Sequence, residues 1–596
     1  MCGIFGYIGS KQISPRRILD GLKTLEYRGY DSWGVAVISN DKKFFVKKKA
    51  GKIGNARVSE LPKGKIAFGH TRWATHGGVT DVNAHPHLDC DKKVAVIHNG
   101  IFENYEEFKK KLIKKGHRFV SQTDTEVIAH LLEENPLGVW NRIDTPGFFA
   151  KKVAETFNKM RGLNTIIAAS VNDNSLIAVR NGSPLIIGFG KNQNFLASDV
   201  SALLPYTKNV YFLEDNEMAV LTDSSVKIYL VKTGEEKKIT PQKLTWNITQ
   251  GEKGKYPNFM LKEIYEQPKI LLEIASSGSQ SLKIAKEIKK SRGSYFVGCG
   301  SASYAAIAGT YLFSKVAKRH INFAIGSEFG YHLDFLNKDS LVIPISQSGE
   351  TMDILESMKK ASARGAKTAC LTNVLGSSLY RMSDYKMIIG AGPEKSVAST
   401  KALTGMLAHL ILLAYALNGG VGEGKKVLEK AIKSVKRVLS HKSVKLINQL
   451  AGKIIEAKNL YVIGRGLSYP ASLETAMKIK EISYIHAEGL AAGELKHGPL
   501  ALVEKGVPCI AFLPDDETYG ANLAGAMEMK ARGGFIIGIS FKPHEVFDYY
   551  IPVMDAGVAT IIPNIVVAQL LAYFLTIKKG LDPDKPRNLA KSVTVK

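Results

Sequence analysis

The second half of the chain repeats itself, and this repeat constrains the fold more than any other feature of the sequence. Three pairs of segments match at one offset of about 166 to 168 residues: 294–300 with 459–466, 340–345 with 507–512, and 365–371 with 533–539. Each segment is an apolar strand that leads into a turn and then a helical pattern, which is typical of parallel sheets covered by helices on both faces. The sequence therefore predicts two copies of an α/β domain.

The first half has a different pattern. Short strands at 35–38, 65–68 and 93–98 alternate with helical patterns at 15–25, 103–115 and 125–134. This mixture predicts a layered α+β domain. The segment 232–255 is rich in Lys, Glu, Gly and Thr and has little periodicity, which indicates an irregular linker. A total of 596 residues is too long for one core and favours roughly three to four domains.

Cysteine at position two is the first candidate for chemistry. Removal of Met1 would make Cys2 the N-terminal residue and place an α-amine beside a thiol. That amine titrates near pH 7.7–8.0 and can accept the thiol proton. An early cysteine in a buried strand is the alternative on position alone.

Composition excludes several classes of protein. The net charge of +26 suggests a nucleic-acid partner, but the lysines are scattered and no nucleic-acid-binding motif accompanies them. The five cysteines form no disulfide or metal-ligand spacing, so we expect a reduced, cytoplasmic protein. No signal peptide is visible, and the apolar stretch 561–577 contains Pro, Asn and Gln, so it predicts a buried helix rather than a membrane span.

A turn in the first α/β copy has the composition of an anion site. Ser346-Gln-Ser-Gly-Glu-Thr351 follows an apolar strand and precedes a helical pattern at 353–363. Such a turn directs hydroxyls and backbone N–H groups at an anion, although an ordinary capped helix would look similar. The equivalent turn 513–517 is acidic and lacks the hydroxyls, so only the first copy predicts an anion site. The Gly-x-Gly turns at 298 and 464 lack a third glycine, which excludes a dinucleotide fingerprint.

Proton-transfer groups gather in the second copy. Residues 470–485 predict a helix on which Lys478 and Glu481 share a face, and the loop that follows contains His497. An exposed ion pair is the common alternative. The last fifteen residues have the composition of a disordered tail.

Longer motifs now identify a family. The chain resembles the glutamine–fructose-6-phosphate aminotransferases (isomerising), or glucosamine-6-phosphate synthases, from Cys2 to the tail. The resemblance rests on these segments: 25–32, 69–77, 98–100, 123–127, 346–351, 397–402, 480–488 and 587–595. It implies an α+β N-terminal-nucleophile glutaminase layer sandwich followed by two α/β sugar-isomerase (SIS) domains with parallel sheets. The expected boundaries are 2–235, a linker at 236–265, SIS domains at 266–425 and 426–580, and a catalytic tail at 581–596.

The resemblance also implies roles in the first half. Cys2 would attack the glutamine amide, with Asn99 and the N–H of Gly100 forming the oxyanion hole. The implied glutamine-binding residues are Arg72, Thr75, His76 and Asp124, and Trp73 would gate the passage of ammonia.

Roles in the second half follow in the same way. Lys591 would form a Schiff base with fructose 6-phosphate, Glu481 would move the proton between C1 and C2 with Lys478 beside it, and His497 would open the sugar ring from the neighbouring subunit of a homodimer. The implied sugar-phosphate-binding residues are Ser301, Ser303, Ser346, Gln347, Ser348, Thr351, Val397 and Ala590. The expected partners are glutamine and fructose 6-phosphate, without nucleic acid or membrane, in the first step of amino-sugar synthesis. The resemblance also implies that no metal or organic cofactor is needed.

Two other functions stay open at this point. Family members usually have Cys-Gly-Thr-Ser where this chain has Cys299-Gly-Ser-Ala-Ser303. The altered turn allows a glutamine-dependent enzyme with another sugar phosphate as acceptor. A sugar-phosphate-binding regulator is the alternative of a different class, but it would not need Cys2 or Lys591.

Overall fold

The computed structural model describes residues 2–134, 147–244, 253–277 and 279–593. By their internal contacts these residues form two compact units. The first contains the described residues up to 244 together with 590–593, and the second contains 253–589.

The first unit is built from two antiparallel sheets with helices on their outer faces. Its strands are β1 (Gly3–Ile13), β2 (Ser32–Ile38), β3 (Phe44–Ala50), β4 (Gly64–Arg72), β5 (His87–Leu88), β6 (Val94–Gly100), β7 (Asn164–Ser170), β8 (Leu176–Asn181), β9 (Ile186–Gly190), β10 (Gln193–Ala197), β11 (Asn209–Phe212), β12 (Glu217–Leu221), β13 (Val226–Leu230), β14 (Glu236–Lys237) and β15 (Gln242–Lys243). Its helices are α1 (Arg16–Leu25), α2 (Tyr105–Lys114), α3 (Asp124–Glu133) and α4 (Phe148–Lys159).

The strand orders are β15-β11-β9-β10-β1-β4-β2-β3 and β14-β13-β12-β8-β7-β6-β5. Successive side chains of a strand point to opposite faces, so Ile4 packs between the sheets with Phe68 and Ile97. Phe5 points the other way, into the core that includes Leu22 of α1. Both faces of β1 are therefore buried, and the predicted layer sandwich is confirmed.

The predicted linker at 236–265 is shorter than expected. Strands β14 and β15 pair with β13 and β11, and the first helix of the second unit already begins at Phe259. The charged composition suggested an irregular segment, but Lys237 Nζ lies 2.7 Å from Glu214 and 2.6 Å from the buried Glu217. These ion pairs fasten the segment to the sheets.

The second unit holds two parallel sheets. The first has the order β17 (Asn322–Ile325), β16 (Gly293–Gly298), β18 (Ser340–Ser346), β19 (Lys367–Thr372), β20 (Tyr385–Ile388). The second has the order β22 (His486–Ala491), β21 (Asn459–Gly464), β23 (Pro508–Leu513), β24 (Phe535–Ser540), β25 (Tyr549–Pro552). The two orders correspond strand for strand, which confirms the internal repeat.

Helices surround and join these sheets. They are α5 (Phe259–Ser277), α6 (Ser279–Lys290), α7 (Ser301–Leu312), α8 (Gly326–Phe329), α9 (Met352–Ala363), α10 (Ser378–Met382), α11 (Lys401–Leu417), α12 (Val421–Val438), α13 (His441–Ile454), α14 (Ser468–Ser483), α15 (Tyr519–Lys530) and α16 (Ile561–Lys578).

Helix α16 lies in the centre of the second unit. Within the described residues it belongs to the one helical segment that is long and apolar enough to cross a membrane, and 89% of its apolar window is buried inside the protein. Its buried Gln569 accepts a 2.8 Å hydrogen bond from Gln267 and donates one of 3.2 Å to the carbonyl oxygen of Thr400. The polar group is thus satisfied by protein, and the prediction of a buried helix is confirmed.

Candidate functional sites

A pocket in the first unit gathers most of the residues predicted to act on glutamine. It is lined by Cys2, Arg72, Trp73, Thr75, His85, His98, Asn99, Gly100, Asp124, Thr125 and Ser183. Residues from the start of β1, the ends of β4 and β6 and the start of α3 meet here. These elements are far apart in sequence, so the antiparallel pairing of β1 with β4 and the packing of α3 against β6 create the site.

The Cys2 thiol lies next to the backbone of Trp73. The N–H of Trp73 donates to Sγ at 3.2 Å, and Sγ is 3.6 Å from the carbonyl oxygen of the same residue. Burial raises the pKa of the thiol, while the hydrogen bond from Trp73 acts in the opposite direction. A base is therefore needed to make the thiolate, and a free α-amine on Cys2 would supply one.

Asn99 and Gly100 end β6 beside the thiol. Asn99 Nδ2 donates to the carbonyl oxygen of Cys2 at 3.1 Å, and its Oδ1 lies 2.9 Å from Nε2 of the buried His70. Burial lowers the pKa of His70 to about 3, so this ring is neutral and can donate to Oδ1. Gly100 has φ +131°, and a Cβ there would lie 2.0 Å from the carbonyl oxygen of Leu163. No other residue fits at this position without displacing the backbone.

Two opposite charges lie in the same pocket. Arg72 is 3% exposed and donates to the carbonyl oxygens of Gly78 (3.2 Å) and Gly77 (3.3 Å). Asp124 is 4% exposed and accepts a 2.9 Å hydrogen bond from the N–H of Phe102. An amino acid carries one carboxylate and one ammonium, so this pair of charges fits its backbone end.

The remaining predicted glutamine-site residues lie on the loop after β4. Thr75 is exposed at the pocket, whereas the ring of His76 packs edge-on against Tyr105 at 5.4 Å. Trp73 lines the pocket and contacts the ring of Tyr30 at 5.9 Å.

Four lining residues were missed from sequence: His85, His98, Thr125 and Ser183. His98 Nδ1 lies 3.1 Å from Thr125 Oγ1 and 3.9 Å from the Asp124 carboxylate. Both His98 and Thr125 sit inside the quoted motifs 98–100 and 123–127, so the signal was present. Ser183 lies in a turn without any such pattern.

The turn Ser346–Thr351 of the first SIS domain is held by hydrogen bonds between its own residues. Ser346 Oγ accepts the N–H of Gly349 at 3.1 Å and lies 3.2 Å from Thr351 Oγ1, and Ser348 Oγ accepts the N–H of Glu350 at 3.1 Å. Gly349 has φ +64°, and a Cβ there would lie 2.1 Å from Ser377 Oγ. The turn brings the hydroxyls together at the carboxyl end of β18 and the start of α9, with Gln347 half-buried between them.

The equivalent turn of the second SIS domain is occupied by ion pairs. Lys315 Nζ lies 2.6 Å from Glu517 and 3.9 Å from Asp516, and Asp516 accepts the N–H of Thr518 at 2.8 Å. The acidic side chains of this turn repel an anion, and anion binding by the first copy stays a prediction.

The altered turn 299–303 makes contacts of its own. Ser301 Oγ donates to Glu474 at 3.2 Å, across to the second SIS domain, and Ser303 Oγ donates to the carbonyl oxygen of Gly300 at 2.7 Å. Neither bond involves the Ser346–Thr351 turn.

Three charged side chains of α14 form a buried cluster. Lys478 is 1% exposed, contacts the Glu481 carboxylate directly and lies 3.6 Å from Glu474 Oε1. Burial would lower the pKa of Lys478, but the two carboxylates outweigh it and raise that pKa above its ordinary value. Burial raises the pKa of Glu474 to about 7 despite the nearby ammonium. The exposed ion pair considered from sequence is therefore wrong, and Glu474, missed from sequence, joins the cluster.

The other predicted sugar-site residues lie in separate places. His497 is exposed at the end of a short helical turn that begins at Glu494. The N–H of Val397 donates to the carbonyl oxygen of Asp584 at 3.0 Å, so Val397 contacts the tail. Ala590 and Lys591 are half-buried and group with the first unit.

The tail between 582 and 589 packs on the second unit. The Asp584 carboxylate accepts the N–H groups of Phe259 (2.9 Å) and Met260 (2.8 Å) at the start of α5, where the helix dipole favours an anion. The guanidinium of Arg587 lies 4.1 Å from the ring centroid of Tyr484. These contacts order a segment whose composition suggested disorder.

Fold and site together define a glutamine amidotransferase joined to a pair of sugar-isomerase domains. Family models agree: the glutamine amidotransferase domain matches residues 70–205, and the SIS domain matches residues 287–416 and 453–571. A solved C-terminal domain of glucosamine-fructose-6-phosphate aminotransferase from Francisella tularensis is 35% identical, with a TM-score of 0.52, and covers 56% of this chain and 99% of its own.

Curated relatives cover the whole chain. The proteins named glutamine–fructose-6-phosphate aminotransferase (isomerizing) from Pyrococcus horikoshii and Thermococcus kodakarensis are each 43% identical over 100% of both chains. The one from Aquifex aeolicus is 42% identical over the same extent. This chain belongs to the family of glutamine–fructose-6-phosphate aminotransferases (isomerising).

Proposed function

We propose that this chain transfers the amide nitrogen of glutamine to fructose 6-phosphate and isomerises the product to glucosamine 6-phosphate, releasing glutamate. The observation that carries this function is the pocket in which Cys2, Asn99, Arg72 and Asp124 meet. This set provides a nucleophile, an oxyanion donor and the two charges that match an amino acid.

The first half-reaction is acyl transfer. The Cys2 thiolate attacks the side-chain carbonyl of glutamine, and the oxyanion of the tetrahedral intermediate accepts hydrogen bonds from Asn99 Nδ2 and the N–H of Gly100. Collapse of the intermediate expels ammonia and leaves a thioester, which water hydrolyses to glutamate. The α-amine of processed Cys2 carries the proton from the thiol to the leaving nitrogen.

Substrate orientation in this half-reaction comes from the pocket charges. Arg72 binds the α-carboxylate of glutamine and Asp124 its α-ammonium. Thr75 borders the pocket, and His76 follows it on the same loop. Trp73, whose backbone holds the Cys2 thiol, gates the departure of ammonia.

The second half-reaction takes place on the SIS domains. The hydroxyls of Ser346, Ser348 and Thr351, with Gln347, bind the sugar phosphate. Val397, Ala590, Ser301 and Ser303 complete the sugar site.

Proton transfer on the sugar uses the cluster on α14. The Lys591 amine condenses with the C2 carbonyl to form a Schiff base and releases water. Ammonia then adds at C2 and displaces the lysine amine, which leaves the C2 imine of the sugar. Glu481 takes the proton from C1 and delivers it to C2, while the proton of the C1 hydroxyl is lost and the nitrogen gains one, so that C1 becomes the aldehyde and C2 carries the amine. Lys478 contacts the Glu481 carboxylate directly and holds it in position. No metal or organic cofactor takes part in these steps.

Assembly and location complete the proposal. The exposure of His497 suits a role in the ring opening of a sugar bound to the neighbouring subunit of a homodimer. The five cysteines are free thiols, which suits a reducing cytoplasm.

The deciding experiment separates the two half-reactions. Purified Lys591→Ala protein should release glutamate from glutamine at a rate near that of wild type but form no glucosamine 6-phosphate. Borohydride reduction of wild type with fructose 6-phosphate should attach the sugar covalently to the Lys591 peptide, as seen by mass spectrometry. Lys579→Ala, an exposed lysine at the end of α16, serves as the matched control and should keep both activities.

Each outcome has a clear meaning. Unchanged product formation in Lys591→Ala would remove Lys591 from its role. Glutamine hydrolysis without any product in wild type would favour the alternative in which another sugar phosphate is the acceptor.

A further inference from the structure

Four side chains that the proposed reaction does not use converge in the first unit. They are Cys90, His117, His130 and Glu133, which form the metal-ligand cluster found among the described residues. Each offers one ligand atom, and all four atoms lie within 4.8 Å of one another. The spacings along the chain are 27, 13 and 3 residues, which match no zinc motif, so the sequence predicts no metal site.

The distances between these atoms are those of a tetrahedral ligand shell. Cys90 Sγ lies 3.5 Å from His130 Nδ1 and 3.7 Å from His117 Nδ1, and the two Nδ1 atoms are 3.3 Å apart. Glu133 Oε2 lies 3.2 Å from His117 Nδ1 and 3.5 Å from His130 Nδ1. Zinc bonds of about 2.0–2.3 Å at tetrahedral angles place neighbouring ligands roughly 3.3–3.6 Å apart. The five measured edges agree with this range to within about 0.1 Å.

The far side of each imidazole faces a carboxylate. His117 Nε2 lies 3.0 Å from Glu134 Oε1, and His130 Nε2 lies 3.8 Å from Glu126 Oε1. A carboxylate within hydrogen-bonding distance of Nε2, as at His117, favours the tautomer with its proton there, which leaves the Nδ1 lone pair free for a metal. The 3.8 Å separation at His130 is too long for a hydrogen bond, so Glu126 acts there only through its charge. Metal-binding histidines in proteins usually have such a carboxylate partner.

Three different elements supply the four ligands. Cys90 is in the turn between β5 and β6, His117 follows the end of α2, and His130 and Glu133 are one turn apart on α3. The two histidine side chains are almost fully buried, at 7% and 1% exposed, whereas Cys90 is exposed and borders a cleft that also reaches His130. The cleft provides a route for an ion into an otherwise enclosed shell.

We propose that Cys90 Sγ, His117 Nδ1, His130 Nδ1 and Glu133 Oε2 bind one Zn²⁺ ion in a tetrahedral structural site. Protein atoms fill all four positions, so no position is open for a substrate or a reactive water. Binding replaces the thiol proton of Cys90, which is released to solvent, and forms the Zn–S bond without any change of oxidation state. The ion ties α2, α3 and the β5–β6 turn together, and α3 carries Asp124 of the glutamine pocket at its other end.

Metal content tests this proposal without reference to enzyme activity. The full-length protein, purified without chelator, should contain about one Zn per chain by elemental analysis. Cys90→Ser and His117→Ala should lower the zinc content to the background level. His320→Ala changes an exposed histidine that lies 3.1 Å from Asn322 and should leave the zinc content unchanged.

Cobalt gives a second readout on the unchanged chain. After removal of zinc with a chelator, titration with Co²⁺ should produce a thiolate-to-cobalt charge-transfer band and the strong visible absorption of tetrahedral Co²⁺. The charge-transfer band should be lost in Cys90→Ser. Zn²⁺ should also protect Cys90 of wild type from a thiol reagent, which can be measured even if a variant fails to fold.

The opposite results would contradict the proposal of a zinc site. Folded wild type with only traces of metal, no cobalt spectrum and no protection of Cys90 would show that the cluster is a polar contact without an ion. Retention of zinc by the Cys90→Ser/His117→Ala double variant would place the metal elsewhere. Neither result depends on whether the chain makes glucosamine 6-phosphate.

Discussion

Asn99 Nδ2 donates a 3.1 Å hydrogen bond to the carbonyl oxygen of Cys2, the residue whose thiol it is expected to assist. The amide is therefore already fixed beside the reacting centre before substrate binds, and its Oδ1 is held by His70. Such fixed donors stabilise charge that develops only in the transition state.

We expect Asn99→Ala to lower kcat for glutamine hydrolysis by roughly 10²- to 10³-fold, with little change in KM. Glutamate release under steady-state conditions measures both constants. Asn209→Ala, at an exposed position of β11, is the matched control. A change confined to KM would assign Asn99 to substrate binding instead.

Arg72→Lys should weaken glutamine binding. A lysine cannot reach two carbonyl oxygens and the substrate carboxylate together, as the planar guanidinium can. Loss of a charged hydrogen bond of about 1.5–3 kcal/mol corresponds to a rise in KM of roughly 10- to 150-fold. Arg57→Lys, at an exposed position, should leave KM unchanged, and an unaffected KM in Arg72→Lys would remove the carboxylate role.

Lys478→Met should destabilise the second unit and stop the sugar half-reaction. The change leaves the Glu474 and Glu481 carboxylates without their shared cation, and breaking a buried ion pair costs about 3–5 kcal/mol. Thermal unfolding measures the loss, and Lys480→Met on the exposed side of α14 is the control. Addition of Glu474→Gln should recover part of the lost stability, and no recovery would argue against charge as the cause.

Glu474→Gln should change how stability depends on pH. The folded-state pKa of Glu474 is about 7, above the ordinary 4.5, so between these values the unfolded chain releases a proton that the folded chain keeps. The free energy of unfolding of wild type therefore falls by up to about 3 kcal/mol as the pH rises through this window, whereas that of the variant does not change for this reason. The Tm of the variant should rise relative to wild type between pH 5 and pH 8. A constant difference in Tm would show that Glu474 is ionised throughout.

The sequence predicted elements whose signal is local. The apolar strands and helical periods located β2, β4, β6, α1, α2 and α3. The charged segment 236–244 has no periodicity, so its sequence predicts a linker. It joins the sheets because Lys237 forms ion pairs with Glu214 and Glu217, which lie outside any local pattern. The tail was judged disordered for the same reason, since its anchor at the start of α5 is more than three hundred residues away.

By itself the sequence determined the repeat and the family, and it predicted the nucleophile at Cys2 and an anion site at the hydroxyl-rich turn 346–351, because each is a local pattern or a long match of motifs. Tertiary structure alone decided that Glu474 joins Lys478 and Glu481 in a buried cluster, and that Cys90 meets His117 and His130. Burial and convergence of distant residues set these properties, since the field at a side chain depends on neighbours in space rather than in sequence.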